Sequence, residues 1–231
     1  MNGYLRGFST TVGTKFLVGL TGALLALFVI GHLLGNLQIY LGPDAINDYA
    51  EFLKAKPGLL WAVRLGLLAV LIVHIAGITK LTLANRAARP EAYAVKHPVK
   101  STVFSRTMLP SGLILLAFIV YHLAHFTIGI VHPEYYRLID SGGRQDVFSM
   151  MVLGFRNPLI AGSYMLAMGL LGMHLAHGIL SVFQTMGWNK PKFKPLFEAG
   201  GRLLALLIVL GNVSIPLVCL LGWIRPLQEA L

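Results

Sequence analysis

Charged side chains are scarce in this chain of 231 residues. Asp, Glu, Lys and Arg together make up 12% of the residues, whereas apolar residues make up 56% and the mean hydropathy is +0.72. Soluble domains average roughly a quarter charged residues. The shortage argues against an ordinary water-soluble protein and indicates a membrane protein. The length suits one helical bundle that comprises residues 1–231 as a single domain.

Cysteine is almost absent. Cys219 is the only one, and it falls in an apolar stretch. One cysteine excludes an internal disulfide, a cysteine-ligated zinc site and a cysteine-ligated iron–sulfur cluster within this chain. A redox centre held here must therefore use histidine ligands or be a free organic molecule.

Acidic residues are missing from all the long apolar segments. A membrane-spanning helix needs about 20 apolar residues. Five segments reach this length, at about 16–40, 59–83, 108–131, 158–183 and 201–223. We therefore predict an all-α integral membrane bundle of five transmembrane helices. A short interfacial helix is expected to begin at Asp44 as its capping residue, and the stretch 132–156 is expected to be a loop.

The net charge of +10 is concentrated on one side of the predicted bundle. Residues 1–15 and the second and fourth connections carry twelve basic and two acidic residues, whereas the opposite side carries seven of each. Because basic residues accumulate on the cytoplasmic side of a membrane, we expect a cytoplasmic N-terminus and an outer C-terminus in a bacterial-type cytoplasmic membrane. Topology accounts for this charge without nucleic acid. Docking of an acidic soluble partner is a second possible reason for it.

Histidine, by contrast, is present in four of the apolar segments, where its polar ring is costly unless something binds it. Counted from the segment ends at about 1.5 Å per residue, His32 and His122 lie roughly 12–14 Å from the outer end. In the same way His74 and His174 lie roughly 14 Å from the inner end. The two tiers then differ in depth by roughly 10 Å. Two imidazoles at one depth on different helices can ligate a haem iron from both faces, so we predict haem between helices 1–4.

Individual histidines and glycines in these segments can be interpreted in more than one way. For a single histidine, a hydrogen bond to a neighbouring helix is as good an account as ligation. Zinc is disfavoured because structural zinc sites use four ligands and no Cys, Asp or Glu lies nearby. Glycines beside the histidines either give clearance to a flat macrocycle or simply let helices pack closely. These glycines are Gly31, Gly35, Gly77, Gly172 and Gly178.

Short motifs surround the histidines in a specific order. They are residues 31–36 (Gly-His-Leu-Leu-Gly-Asn), 42–49 (Gly-Pro-Asp-Ala-Ile-Asn-Asp-Tyr), 74–77 (His-Ile-Ala-Gly), 106–112 (Arg-Thr-Met-Leu-Pro-Ser-Gly) and 157–158 (Asn-Pro). In order and spacing they resemble the cytochrome b membrane-anchor subunit of succinate dehydrogenase and fumarate reductase. The similarity is to the form with one five-helix polypeptide and two b haems, and it covers nearly the whole chain.

The resemblance implies a ligand set. His32 and His122 would ligate the haem distal to the soluble subunits. His74 and His174 would ligate the proximal one. Two more histidines are left as supporting residues or alternative ligands: His125 and His177.

The resemblance also implies a function in the respiratory chain and the tricarboxylic acid cycle. The chain would be an enzyme subunit that passes electrons between an iron–sulfur subunit and a membrane quinone, menaquinone in this subgroup. Partner subunits, one with FAD and one with iron–sulfur clusters, would dock on the cytoplasmic basic face and carry the dicarboxylate chemistry. Some fumarate reductases of this type have a proton-conducting Glu where this chain has Gly172, so that proton route is not expected here.

The quinone site is not determined by the motifs. Head groups need hydrogen-bonding side chains beside an apolar channel for the tail. The inner candidates are Ser9, Lys15, Ser105 and Arg106, and the outer ones are Asn47, Asp48, Tyr49 and Glu51. Lys15 and Arg106 could instead pair with haem propionates, as could Lys80. Ordinary contact with lipid headgroups accounts for any one of them equally simply.

Two other functions compete with this interpretation. The nearer one is the dihaem anchor of another respiratory enzyme, such as a nitrate reductase, formate dehydrogenase or hydrogenase. The more distant one is a small transporter. Against a transporter, the predicted spans contain no Asp or Glu and the sequence shows no inverted repeat.

Overall fold

A computed structural model describes residues 10–88, 106–188 and 190–227. Within these ranges the chain is all-helical, and its one β-type pairing is an isolated bridge between Ile139 and Gln145. Five helices are long and apolar enough to cross a membrane. The prediction of an all-α, multi-pass membrane protein is confirmed.

Five long helices and three short ones make up the described ranges. The long ones are α1 (Thr11–Asn36), α3 (Pro57–Ala87), α4 (Met108–His122), α7 (Pro158–Thr185) and α8 (Lys194–Leu220). A 3₁₀ segment, Leu37–Leu41, extends α1, and a π-helical segment, Leu123–Thr127, extends α4. The short ones are α2 (Pro43–Lys54), α5 (Pro133–Tyr136) and α6 (Val147–Arg156).

Helix α1 begins at Thr11, ahead of the expected residue 16, because a polar residue caps it. The Thr10 hydroxyl oxygen accepts the Gly13 N–H at 3.1 Å. Helix α7 begins at Pro158 in the expected place, since Asn157 caps its first turn and proline suits the first helical position.

The expectation that Asp44 caps the interfacial helix is wrong. Gly42, with a φ of +105°, occupies the capping position, and Pro43 is the first helical residue. Asp44 lies inside the first turn, where the positive end of the helix dipole stabilises its carboxylate. Its side chain is also held from outside the helix, by Arg144 at 2.8 Å.

The expectation that residues 132–156 form a loop is also wrong. The stretch contains α5 and α6, and α6 is buried from Phe148 to Phe155. Ten residues are too few to span a membrane, so hydropathy alone did not distinguish α6 from an apolar loop. The preceding helix ends at Thr127 rather than near residue 131, because its last turn widens into the π-helical segment.

The long helices pack with alternating direction. Helix α1 contacts α3 and α7, α4 contacts α7, and α8 contacts α7 and α1. Gly77 of α3 allows a close approach, since a Cβ there would lie 2.5 Å from the Val18 side chain of α1. At one end Gly19 of α1 lies beside Thr185 of α7. We call this the inner end, and the opposite end, where α2 packs on α6, the outer end.

Candidate functional site

The outer tier brings together two histidines that are 90 residues apart in sequence. The rings of His32 on α1 and His122 on α4 have centroids 5.7 Å apart and are nearly perpendicular, at 85°. Each ring stacks on a phenylalanine one turn earlier in its own helix, Phe28 at 5.4 Å and Phe118 at 5.9 Å. The two imidazoles therefore face each other from different helices, and each also contacts a phenylalanine ring.

The inner tier holds each histidine against the preceding long helix. His74 on α3 has its Nδ1 3.1 Å from the Thr21 hydroxyl oxygen of α1. His174 on α7 has its Nδ1 3.2 Å from the Ser111 hydroxyl oxygen of α4. A hydroxyl contact of this kind restrains the orientation of an imidazole.

Glycine follows each of these hydroxyl residues and faces the same histidine. A Cβ at Gly22 would lie 3.2 Å from His74, and one at Gly112 would lie 3.5 Å from His174. The helices α1 and α4 thus share a pattern: a hydroxyl residue, a glycine, nine further residues and an outer histidine. Eleven residues are close to three helical turns, so the hydroxyl and the outer histidine share a face, roughly 16 Å apart along the axis.

This pattern makes the two halves of the bundle alike. In each half, one helix carries an outer histidine and the hydroxyl that contacts the inner histidine of the next long helix. The sequence motif at 106–112 contains Ser111 and Gly112, the latter ten residues before His122, but the roles of the Ser111 hydroxyl and of Thr21 were missed. The signal was present as the repeat of that spacing in α1.

The glycines singled out beside the histidines mostly serve helix packing. Gly35 lies under the Tyr49 ring, Gly77 against Val18, and Gly172 against Val209 of α8. A Cβ at Gly172 would already overlap the Val209 side chain, so this position has no room for a larger side chain. Two others have open space around them, Gly31 and Gly178.

His125 is enclosed, in contrast to His122. Its side chain is 3% exposed, its Nδ1 lies 3.0 Å from the Tyr164 hydroxyl of α7, and its ring stacks on Phe126 at 3.9 Å. Gly154 of α6 closes the remaining side, where a Cβ would be 3.1 Å from the His125 Nε2. His122 instead has a buried Nδ1 with no hydrogen-bond partner among the described residues.

The donor set fits haem better than a small metal ion. Among the described residues, no group of three or more His, Cys, Asp and Glu side chains is placed to hold a metal ion. Zinc takes three or four protein ligands, whereas a haem iron takes one or two axial ones. His32 and His122 face each other, and His122 has an unsatisfied ring nitrogen. Two such imidazoles match the one or two axial ligands that a haem iron needs.

The candidates for quinone or propionate contact are scattered. Lys15 and Arg106 are exposed near the inner ends of α1 and α4, while Ser9 and Ser105 lie outside the described residues. On the outer side, Tyr49 packs against Gly35, one turn beyond His32. Of these quinone candidates, Tyr49 therefore lies close to the outer histidine tier. Glu51 is an exposed residue of α2, and His177 is half-buried, one turn after His174.

Two other outer candidates belong to a polar network. Asn47 is 1% exposed, donates to Asp140 at 3.1 Å and to Asp146 at 3.3 Å, and accepts the Phe148 N–H at 3.0 Å. Asp48 pairs with Arg144. Asn47 thus fastens α2 onto α6, and Asp48 fastens α2 onto the segment before α6; both contacts also position Tyr49.

Arg144 is the centre of this network. It binds Asp44, Asp48 and Asp140, and these hydrogen bonds raise the pKa of the guanidinium. Burial acts to raise the pKa of Asp140, but hydrogen bonds from Arg144 and Asn47 outweigh it and hold that pKa below its ordinary value. The network therefore stabilises the ionised carboxylate of Asp140 in the buried outer end.

Comparison of the chain with protein-family models, with curated proteins and with solved structures finds no match.

Proposed function

We propose that this chain is the dihaem cytochrome b anchor of a succinate:quinone oxidoreductase, in a bacterial-type cytoplasmic membrane with the N-terminus on the cytoplasmic side. The observation that supports it most is the facing of His32 and His122 at 5.7 Å between two helices that share one pattern. A hydrogen bond between helices explains a single intramembrane histidine. It does not explain why both halves of the bundle carry the same arrangement of hydroxyl, glycine and histidine.

Each tier has a distinct task in this proposal. His32 and His122 hold the distal haem, and His74 and His174 the proximal one. A b haem bound at each pair supplies one-electron transfer at a potential set by its ligands and surroundings. Thr21 contributes by orienting the inner ring on α3, as supporting residues of metal ligands do.

The same reasoning assigns supporting roles in the other half. Ser111 orients His174 through the 3.2 Å contact. His125, held by the Tyr164 hydroxyl and stacked on Phe126, packs beside the outer tier rather than serving as a ligand.

Partner subunits complete the enzyme in this proposal. The described basic residues of the inner end include Lys15, Lys80, Arg86, Arg106 and Arg202. This face is suited to an iron–sulfur subunit that carries acidic side chains, with a flavoprotein subunit beyond it. Electrons from succinate would enter at the inner tier, leave at the outer tier and reduce a membrane quinone, menaquinone by the resemblance. Tyr49, beside the outer tier, is the candidate hydrogen-bond donor to its head group.

Membranes that contain the chain test this proposal. After the chain is purified with its natural partners, we expect a flavoprotein with covalent FAD to accompany it. Succinate should then reduce b-type absorbance in the purified complex. A molybdenum or nickel subunit in its place would assign the chain to a nitrate reductase, formate dehydrogenase or hydrogenase. Absence of any b-type absorbance in the purified chain would contradict a redox role altogether.

A further inference from the structure

A groove lies between α7 and α8 at the inner end of the bundle. It measures about 270 Å³, and its lining includes Ile179, Phe183, Leu196, Phe197, Gly200 and Leu204. The Phe183 and Phe197 rings, which stack at 4.3 Å, form part of its wall. Leu196 is 66% exposed, so the groove opens at the surface of the bundle. In a membrane-spanning bundle such a surface faces lipid.

Positive charge borders this groove. The turn that joins α7 to α8 carries Lys190 and Lys192, and the first residue of α8 is Lys194; all three are exposed. Lys194 lies three residues before Phe197, which places the two on one face of α8. The acid Glu198 is 3.9 Å from Lys194 and 4.0 Å from Arg202, at the limit of an ion pair. Positive charge therefore exceeds negative charge beside an apolar groove.

We propose that this groove binds an anionic phospholipid, with an acyl chain along the Phe183 and Phe197 rings and the phosphate at the lysines. The charge is complementary to the headgroup and the lining is complementary to the chain. Basic pockets between transmembrane helices on the cytoplasmic side bind anionic headgroups in this way. An acidic soluble protein would complement the lysines but leave the groove unfilled. The proposal requires the membrane-spanning arrangement and not the haem assignment.

Trp188 provides a reporter, because its ring lies 6.2 Å from Phe183. The chain has three tryptophans, and Trp61→Phe with Trp223→Phe leaves Trp188 alone. The protein is placed in phosphatidylcholine nanodiscs that contain increasing fractions of either brominated phosphatidylglycerol or brominated phosphatidylcholine. We expect the anionic lipid to quench Trp188 at a severalfold lower mole fraction. Equal quenching by the two lipids would overturn the proposal.

A charge variant tests the headgroup contact. Lys192→Gln with Lys194→Gln should raise the phosphatidylglycerol fraction needed for half-quenching by about fivefold for each lysine removed. The matched control, Lys80→Gln with Arg86→Gln, removes two positive charges from the same end and should leave this fraction unchanged. An equal effect of both variants would show general attraction to the anionic surface and overturn a specific site.

A second variant tests the groove itself. Gly200 lines the groove and a Cβ there would meet no atom within 4 Å, so Gly200→Leu adds a side chain at the groove without a steric clash. Gly169 of α7 has equally open surroundings and does not line the groove, which makes Gly169→Leu the control. We expect Gly200→Leu, and not Gly169→Leu, to abolish the preference for the anionic lipid. Persistence of the preference in Gly200→Leu would contradict the proposal, with circular dichroism checking that the variant is folded.

Discussion

The inner and outer tiers of histidines are built in different ways. Each inner histidine contacts a hydroxyl of the preceding long helix, and the two contacts repeat in both halves of the bundle. The outer histidines face each other directly, and the surroundings of His122 include Phe118 and Tyr164. Phe118 has its equivalent in Phe28 beside His32, whereas Tyr164 of α7 contacts His122, and the 3₁₀ segment and α2 follow His32.

The difference shows that the inner tier is determined by local sequence and the outer tier by long-range contacts. The inner tier depends on a short pattern that occurs twice in the sequence. Beside the outer tier, His125 and Phe126 pack on α6, and α6 is held by long-range contacts such as that between Asn47 and the Phe148 N–H, about 100 residues apart. We therefore expect changes in the hydroxyl or the glycine of the pattern to affect the inner tier alone, and changes in α6 or α2 to affect the outer one.

The largest effect is expected from removing an outer ligand. His122→Ala should abolish the b-type absorbance of the distal haem, because no other imidazole faces His32 in the described chain. His125→Ala, the matched control three residues away, should keep it, since His125 is already bonded to Tyr164. Difference spectra of the purified variants measure this. Loss of the haem in His125→Ala and its retention in His122→Ala would reverse the ligand assignment on α4.

A smaller but still local effect is expected from filling the space beside an inner histidine. Gly22→Val should displace His74, since even a Cβ at Gly22 would lie 3.2 Å from its ring. The proximal haem should then be lost or loosely bound while the distal one stays. Gly66→Val on α3 meets open space and serves as the control. Haem content and difference spectra report both, and equal haem content in the two variants would contradict the packing argument.

The outer end can be weakened without touching a ligand. Asn47→Ala removes the donor to Asp140 and Asp146 and leaves the buried Phe148 N–H without its acceptor. An unsatisfied buried polar group costs about 1–3 kcal/mol, so we expect a clearly lower Tm. Asn85→Ala, at an exposed position of α3, should leave the Tm unchanged. A Tm of Asn47→Ala equal to that of the control would show that α2 is not fastened by this network.

Acid should open the same network. Because the pKa of Asp140 is lowered in the fold, ionised Asp140 stabilises the fold fully above the ordinary Asp pKa of about 3.9, and this contribution is lost as pH falls through the lowered value. Hydrogen exchange of α2 and α6 should therefore increase in acid before that of α8. In Arg144→Met the hydrogen bonds that lower the pKa of Asp140 are lost, while burial still raises it. The opening should therefore move to higher pH. An unchanged pH profile in this variant would contradict the role of Arg144.

The smallest effect is expected from an inner hydroxyl. Thr21→Val removes the 3.1 Å contact to His74 and keeps the side-chain volume. Loss of such a supporting contact typically weakens metal binding about 10–100-fold without removing the ligand. We expect a shift of the midpoint potential of one b component, and its restoration in Thr21→Ser. A shift of both components would contradict the separation of the tiers.

The sequence was sufficient for the architecture but not for the outer end. Five apolar segments predicted five long helices because segment length is a local property. The helix α6 was missed because Val147–Arg156 is too short to signal a span, and its burial depends on α2, α8 and the Asn47 amide. The predicted end of α4, near residue 131, lies beyond the observed end at Thr127, because the π-helical segment has no simple signature in the sequence.

The glycines show a similar limit within the candidate site. Gly77 and Gly172 were noted for their closeness in sequence to His74 and His174, yet they pack against Val18 and Val209. The glycines that face the inner histidines lie on the neighbouring helix. Adjacency in sequence places residues on one helix, whereas clearance for a ring depends on which residues the partner helix presents.

The haem content of the purified chain tests the central claim most directly. If the two tiers are separate haem sites, the unmodified protein should contain two b haems per chain by the pyridine haemochrome method. His32→Ala and His74→Ala should each retain one, with different spectra, and the double variant should retain none. A single haem in the unmodified protein, or loss of both haems from either single variant, would contradict two independent tiers.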